Sequence, residues 1–181
     1  MCGIAGLFLK DPSLEPELGR LTSEMLVVLS DRGPDSAGFA IYGQAAPERV
    51  KVTVRFAPGV DRTAILDRLR AALGADATLQ LRDDHVLLSL RPAMMDGLRP
   101  LLAARFPEIS IVGSGNRMEL YKGVGRPAEV SARFGLPGMS GSHAIGHTRM
   151  ATESAVTIAG AHPFSTGADQ CLVHNLSLIH I

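Results

Sequence analysis

Two hydrophobic periods divide the chain, and glycine, proline or an acidic cap marks most of the changes between them. Residues 2–8 form a short apolar run with small side chains, the pattern of a buried strand. Leu18, Leu21, Met25, Val28 and Leu29 recur at helical spacing, which predicts an amphipathic helix over 17–29 packed on that strand. A strand over 36–42 follows. From 50 to 56, Val50, Val52, Val54 and Phe56 alternate with polar residues, the period of a half-buried strand. Residues 61–73 read as a helix with Asp61 as N-cap, a stripe of Ile65, Leu66, Leu69 and Leu73, and Gly74 as its stop. Strands at 85–90 and 109–112 flank a helical stretch around 93–105. Residues 113–116 suggest a tight turn into a strand at 117–122. Pro127 opens a short helix over 127–134 that Gly135 ends, and 135–141 is a glycine-rich loop. Segments 142–151 and 170–175 complete the pattern. Antiparallel strands with helices on their faces predict an α+β fold, a layered sandwich in one domain.

Composition narrows the class. Hydrophobic residues make up 46% of 181 residues without an apolar run of membrane-spanning length, which predicts a soluble globular chain and no membrane partner. Eighteen basic against eighteen acidic residues leave no footprint for nucleic acid. Cys2 and Cys171 are too few for a disulfide framework, and no signal peptide precedes Cys2, so the expected location is cytoplasmic. The final stretch Leu176-Ser-Leu-Ile-His-Ile181 is the translation of CTG TCT CTT ATA CAC ATC, a transposon end used in sequencing adapters. Residues 176–181 are therefore expected to be an adapter-encoded tail, and the chain a C-terminally truncated fragment with native sequence through Asn175.

Cys2 follows the initiator methionine. Removal of Met1 would place a thiol and a free α-amine on one residue, and an amine of pKa about 7.7–8.0 is suited to accept the thiol proton. Taken alone, an MC- start reads as a small buried cysteine. Four further segments change the weighing: Asp31-Arg-Gly-Pro-Asp-Ser-Ala-Gly38, Gly146-His-Thr-Arg-Met-Ala-Thr-Glu153, His162-Pro-Phe164 and Cys171-Leu-Val-His-Asn175. With Met1-Cys-Gly-Ile-Ala-Gly6 they resemble, in order, the class II glutamine amidotransferases. The resemblance spans residues 2 to 175. It implies the N-terminal-nucleophile fold, an α-β-β-α four-layer sandwich, here incomplete at the C-terminus.

The same resemblance implies the roles. Cys2 would attack the side-chain amide of glutamine, release ammonia and leave a γ-glutamyl thioester that water hydrolyses. Asn175 would be one oxyanion donor; the glycine that follows it in the family is Leu176 here. Loss of one such donor costs roughly 10²–10³ in rate. The resemblance also implies an acidic group for the α-ammonium and the rest of the sandwich beyond residue 175, so the chain as written is expected to lack competent catalysis. Arg32 lies in the segment that positions the N-terminal residue. Arg149 would hold the substrate α-carboxylate through its planar fork. Thr152 and His162 would line the same pocket. Arg32 or Arg149 in isolation would read as a surface ion pair.

No metal or cofactor is implied. His143 and His147 lie four apart on a predicted strand, too far to chelate one ion together, and no Cys-x-x-Cys accompanies them. His147 and His174 read as core or pocket-wall residues. Gly113-Ser-Gly115 matches no phosphate-loop pattern, and Cys171 reads as a small buried hydrophobe. The long stretch at about 43–141 is expected to be an insertion. It likens the chain to the stand-alone subunits of glutamate-synthase-like and N-methylglutamate-synthase-like complexes, which deliver ammonia to a separate synthase partner. A non-catalytic module on the same fold, or an N-terminal-nucleophile hydrolase of another amide, stays open at this point.

Overall fold

The computed structural model describes residues 2–151 and 155–175. Its elements run β1 (Gly3–Phe8), α1 (Leu18–Val28), β2 (Ser36–Tyr42), β3 (Val50–Phe56), α2 (Arg62–Leu73), β4 (Thr78–Arg82), β5 (His85–Leu90), α3 (Met95–Arg105), β6 (Ile109–Gly115), β7 (Met118–Val124), α4 (Pro127–Phe134), β8 (His143–Arg149), β9 (Phe164–Gly167) and β10 (Gln170–Leu172). Helices and antiparallel sheets are mixed, as the α+β expectation requires. One sheet has the order β1-β8-β2-β7, a second β4-β5-β3-β6, and β10-β9 form a ribbon.

In the first sheet the two-residue period of β2 sends Phe39 and Ile41 toward α1 and α4. There they join Leu18, Leu26, Tyr121, Val130 and Phe134 in one core. Ala40 points the other way and meets Met118 and Leu120. β1 departs from the buried strand expected of it: Gly3 and Ala5 are buried, but Ile4 and Phe8 are 44% and 67% exposed. Among the described residues it is an edge strand, paired only with β8 and covered by α1 on the side where its residues are small.

Residues 50–115 build a second core. The connection β3-α2-β4-β5-α3-β6 and the order β4-β5-β3-β6 interleave two split βαβ units. Asp61 caps α2 by accepting the Ala64 N–H at 3.0 Å, and Ile65, Leu66, Leu69 and Leu73 are all buried against Val52, Val54, Leu88 and Leu98. β3 is not half-buried. Val52, Thr53 and Val54 are fully enclosed, because β7 lies against the face opposite α2 and α3, where the Thr53 hydroxyl accepts the Leu120 N–H at 3.3 Å. The seam between the cores is polar as well as aromatic. Lys51 pairs with Glu119 at 2.8 Å, and buried His85 packs edge-on to Phe134. Of the stretch 43–141, β7 and α4 thus return to the first core.

Other differences are local. β6 continues as strand through Gly115, where a turn was expected from 113, because β3 pairs with it as far as Lys51–Gly115. The strand expected over 170–175 is regular only through Leu172, its partner β9 ending at Phe164. No helix among the described residues is long and apolar enough to cross a membrane.

Candidate active site

The β1–β8 register builds the site. Gly3 pairs with Thr148 and Ile4 with His147, which brings Cys2 alongside Arg149 at the end of β8. β2 carries the row onward, Ser36 opposite Arg149 and Gly38 opposite His147, and β7 adds Lys122 opposite Gly38. Alternation therefore puts Ser36, Lys122, His147 and Arg149 on one face of the sheet. The Cys2 thiol lies 4.0 Å from the Met150 carbonyl oxygen.

A crossing segment roofs this face. A Cβ on Gly38 would collide with the His162 carbonyl oxygen, so the glycine is what lets residues 161–163 lie directly on β2. Lys122 Nζ donates to the Ala161 carbonyl at 2.9 Å and sits 4.6 Å from the Phe164 ring centroid. Burial, assisted by the charge of Arg55, pushes the Lys122 amine down to about 8. The His162 ring lies tilted against His147 with centroids 4.3 Å apart and meets His174 edge-on at 4.4 Å. Burial pushes His162 down to about 3, with the neighbouring His147, His174, Lys122 and Arg149 adding to the effect. His147 Nε2 lies 2.9 Å from the His174 carbonyl oxygen. A carbonyl only accepts, so Nε2 carries the proton and fixes the tautomer. Burial also lowers the His147 pKa. Two neutral imidazoles, His147 on the sheet and His162 above it, thus face each other, flanked by Lys122 and Arg149.

The candidates fall as follows. Cys2 and Arg149 are neighbours, His162 lies over the sheet between β8 and β2, and Asn175 is exposed one residue beyond the His174 carbonyl that His147 holds. The Arg149 guanidinium lies against Gly160, and its Nη1 is 3.5 Å from the Ala155 carbonyl. Arg32 is an exposed residue ending a 3₁₀ turn, its backbone N–H donating to Leu29 O at 3.0 Å. Thr152 and Leu176 lie outside the described residues. Cys171 is half-buried rather than fully buried, its sulfur 3.4 Å from the Tyr42 hydroxyl, because its two-stranded ribbon is covered on one side only. His143 stacks on Tyr42 at 4.0 Å, away from His147. Among the described residues no group of three or more His, Cys, Asp or Glu side chains is arranged to hold a metal ion.

Motif matching did not single out Asp35, Ser36 or Lys122. The Asp35 carboxylate accepts the Ala151 N–H at 2.7 Å and its N–H donates to Arg149 O at 3.1 Å, clamping the end of β8. The Ser36 hydroxyl is wholly buried on the Arg149 face with no hydrogen-bond partner among the described residues. Lys122 had a sequence signal: it follows Met118 and Leu120 at alternate positions, a charge where the pattern calls for an inward residue.

No protein-family model matches the chain. It is 55% identical over 179 residues to the glutamine amidotransferase-like protein GlxB of Rhizobium meliloti (strain 1021), an alignment covering 98% of this chain and 59% of that protein. It is 34% identical over 186 residues to a putative glutamine amidotransferase of Methanothermobacter thermautotrophicus, covering 97% of this chain and 61% of the relative. A shorter match, 37% over 84 residues, covers 45% of the chain and 14% of an isomerizing glutamine–fructose-6-phosphate aminotransferase of Streptococcus pyogenes serotype M6. The chain spans about three fifths of the length of the first two relatives. These similarities support a glutamine amidotransferase domain.

Proposed function

We propose that this domain is a class II glutaminase, with Cys2 as an N-terminal nucleophile and ammonia passed to a separate synthase subunit of the glutamate-synthase-like kind. The observation that carries the reading is the β1–β8 register that sets Cys2 beside Arg149, two residues along β8 from the His147 that packs under His162. With Met1 removed, the α-amine of Cys2 takes the thiol proton, and the thiolate attacks the side-chain amide carbon of glutamine. Arg149 holds the α-carboxylate by two parallel N–H bonds. The oxyanion is met by the Asn175 side-chain amide. Collapse expels ammonia, which leaves with the proton, and water then attacks the thioester to give glutamate and restore the thiol.

His162 and His147 suit this chemistry because they stay neutral, leaving Arg149 as the permanent positive charge for the α-carboxylate of glutamine. Arg32 and Thr152 are assigned backbone support of the nucleophile and pocket lining. The four-layer N-terminal-nucleophile sandwich, and the role of 43–141 as an insertion, belong to the same reading.

Glutamate and ammonia released in equal amounts from glutamine test it, in this chain and in one extended past Asn175 with glycine at 176. Release is expected from the extended chain and is expected to be lost from it on Cys2→Ala. Release untouched by Cys2→Ala, or none from the extended chain, would overturn the reading.

A further inference from the structure

The stretch that carries His174 and Asn175 hangs from a ribbon with little core of its own. In β9 and β10 only Phe164 and Cys171 are partly buried, and a two-stranded ribbon is marginal in isolation. Its turn is nevertheless fastened. The Asp169 carboxylate accepts three backbone N–H bonds, from Asn116, Arg117 and Met118, each at 2.8 Å. The Asp169 N–H donates to Ser114 O at 2.9 Å, and Ala168 bridges Ser114 in parallel. Asp169 adopts a left-handed backbone, φ 54°, which turns its carboxylate back onto the β6–β7 connection. Burial opposes its charge, but the three N–H donors prevail and hold the carboxyl below its usual pKa.

The partners of this carboxylate matter more than their number. Ser114 and Gly115 end the last strand of the 50–115 unit, and Met118 begins the edge strand of the first sheet. Asp169 therefore ties three bodies together at one point: the second core, the first sheet, and the ribbon leading to Asn175. At its far end the same stretch is held by the His147 bond to the His174 carbonyl. Four residues, 170–173, separate the two anchors, and Tyr42 meets Cys171 between them. Shifting the first anchor must shift the oxyanion side of the site relative to Cys2 and Arg149, which belong to β1 and β8.

We propose that Asp169 is a positioning residue through which the 50–115 unit sets the placement of the His174–Asn175 stretch. It rests on the glutaminase reading only for its consequence in rate. Gly115 works from the other side: a Cβ there would collide with the Asp169 carboxylate, so Gly115→Ala dislodges the anchor without altering Asp169.

The test compares the chain with Asp169→Gly, which keeps the left-handed backbone accessible, and with Gly115→Ala. Inactivation by a diazo-ketone analogue of glutamine is followed as kinact and KI, with iodoacetamide as a probe of thiol exposure. Both variants are expected to lose about tenfold or more in kinact, since a misplacement near 1 Å costs on that order, with KI and iodoacetamide rates within about twofold. Hydrogen exchange at 116–118 and 170–175 is expected to quicken at least about tenfold, as loss of charge-assisted bonds implies. Asp169→Asn, which keeps the oxygen shared by Arg117 and Met118, is expected to fall between. Exchange that quickens at 116–118 but not at 170–175 would reduce Asp169 to a turn cap and overturn the proposal. So would kinact unchanged in both variants. A parent chain that the analogue never labels would count against the glutaminase reading instead, and exchange at 170–175 would then decide the positioning claim by itself.

Discussion

His162 shows how one side chain can be both buried and exposed to pH. Its folded-state pKa is depressed to about 3, whereas the same imidazole titrates near 6.5 in the unfolded chain. Between those values the unfolded state binds a proton that the folded state refuses. Its stabilising contribution is therefore whole above about pH 6.5 and declines as pH falls through the window. His147 shifts in the same direction and adds to the slope. Melting temperature is expected to drop on acidification from about pH 7 to about pH 5, before the carboxylates protonate. His162→Gln should flatten that dependence, and an unchanged slope in the variant would place the sensitivity elsewhere. The burial of His162 could not be anticipated from the motif: it follows from residues 161–163 crossing Gly38, a contact between positions more than a hundred residues apart.

At the scale of elements, α2 was legible almost to the residue because every signal for it is local: a cap at Asp61, a four-residue apolar stripe and a glycine stop. That stripe anchors the second core. Leu69 is fully buried in it, and Leu69→Ala is expected to cost about 2–5 kcal/mol in denaturant titrations. A loss under about 1 kcal/mol would mean that the 50–115 core is not packed as described. Strands were harder to read wherever a partner decides them. β4 and β9 have mostly exposed residues at the margins of their sheets, so little in their own pattern marks them, and β3 is enclosed by β7 as well as by its helices. The missed contacts of the site, Lys122 with Ala161 and Asp169 with the β6–β7 turn, are likewise made between elements distant in sequence.

Across the whole molecule two cores meet along β7, and the candidate site lies on the first sheet under a segment and a ribbon that the second core helps to hold. Cys2 and Arg149 come together through one strand pairing, His162 and His174 through the roof, and Asn175 through the ribbon. Chemistry concentrated on Cys2 is the claim on which the rest depends. The most direct test is the intact mass of the chain, and of Leu176→Gly, after exposure to the diazo-ketone analogue of glutamine, followed by peptide mapping. The account predicts a chain lacking Met1 and carrying one adduct, mapped to Cys2 and suppressed by excess glutamine. An adduct on Cys171 instead, or no adduct on either chain once Met1 has been removed, would contradict it.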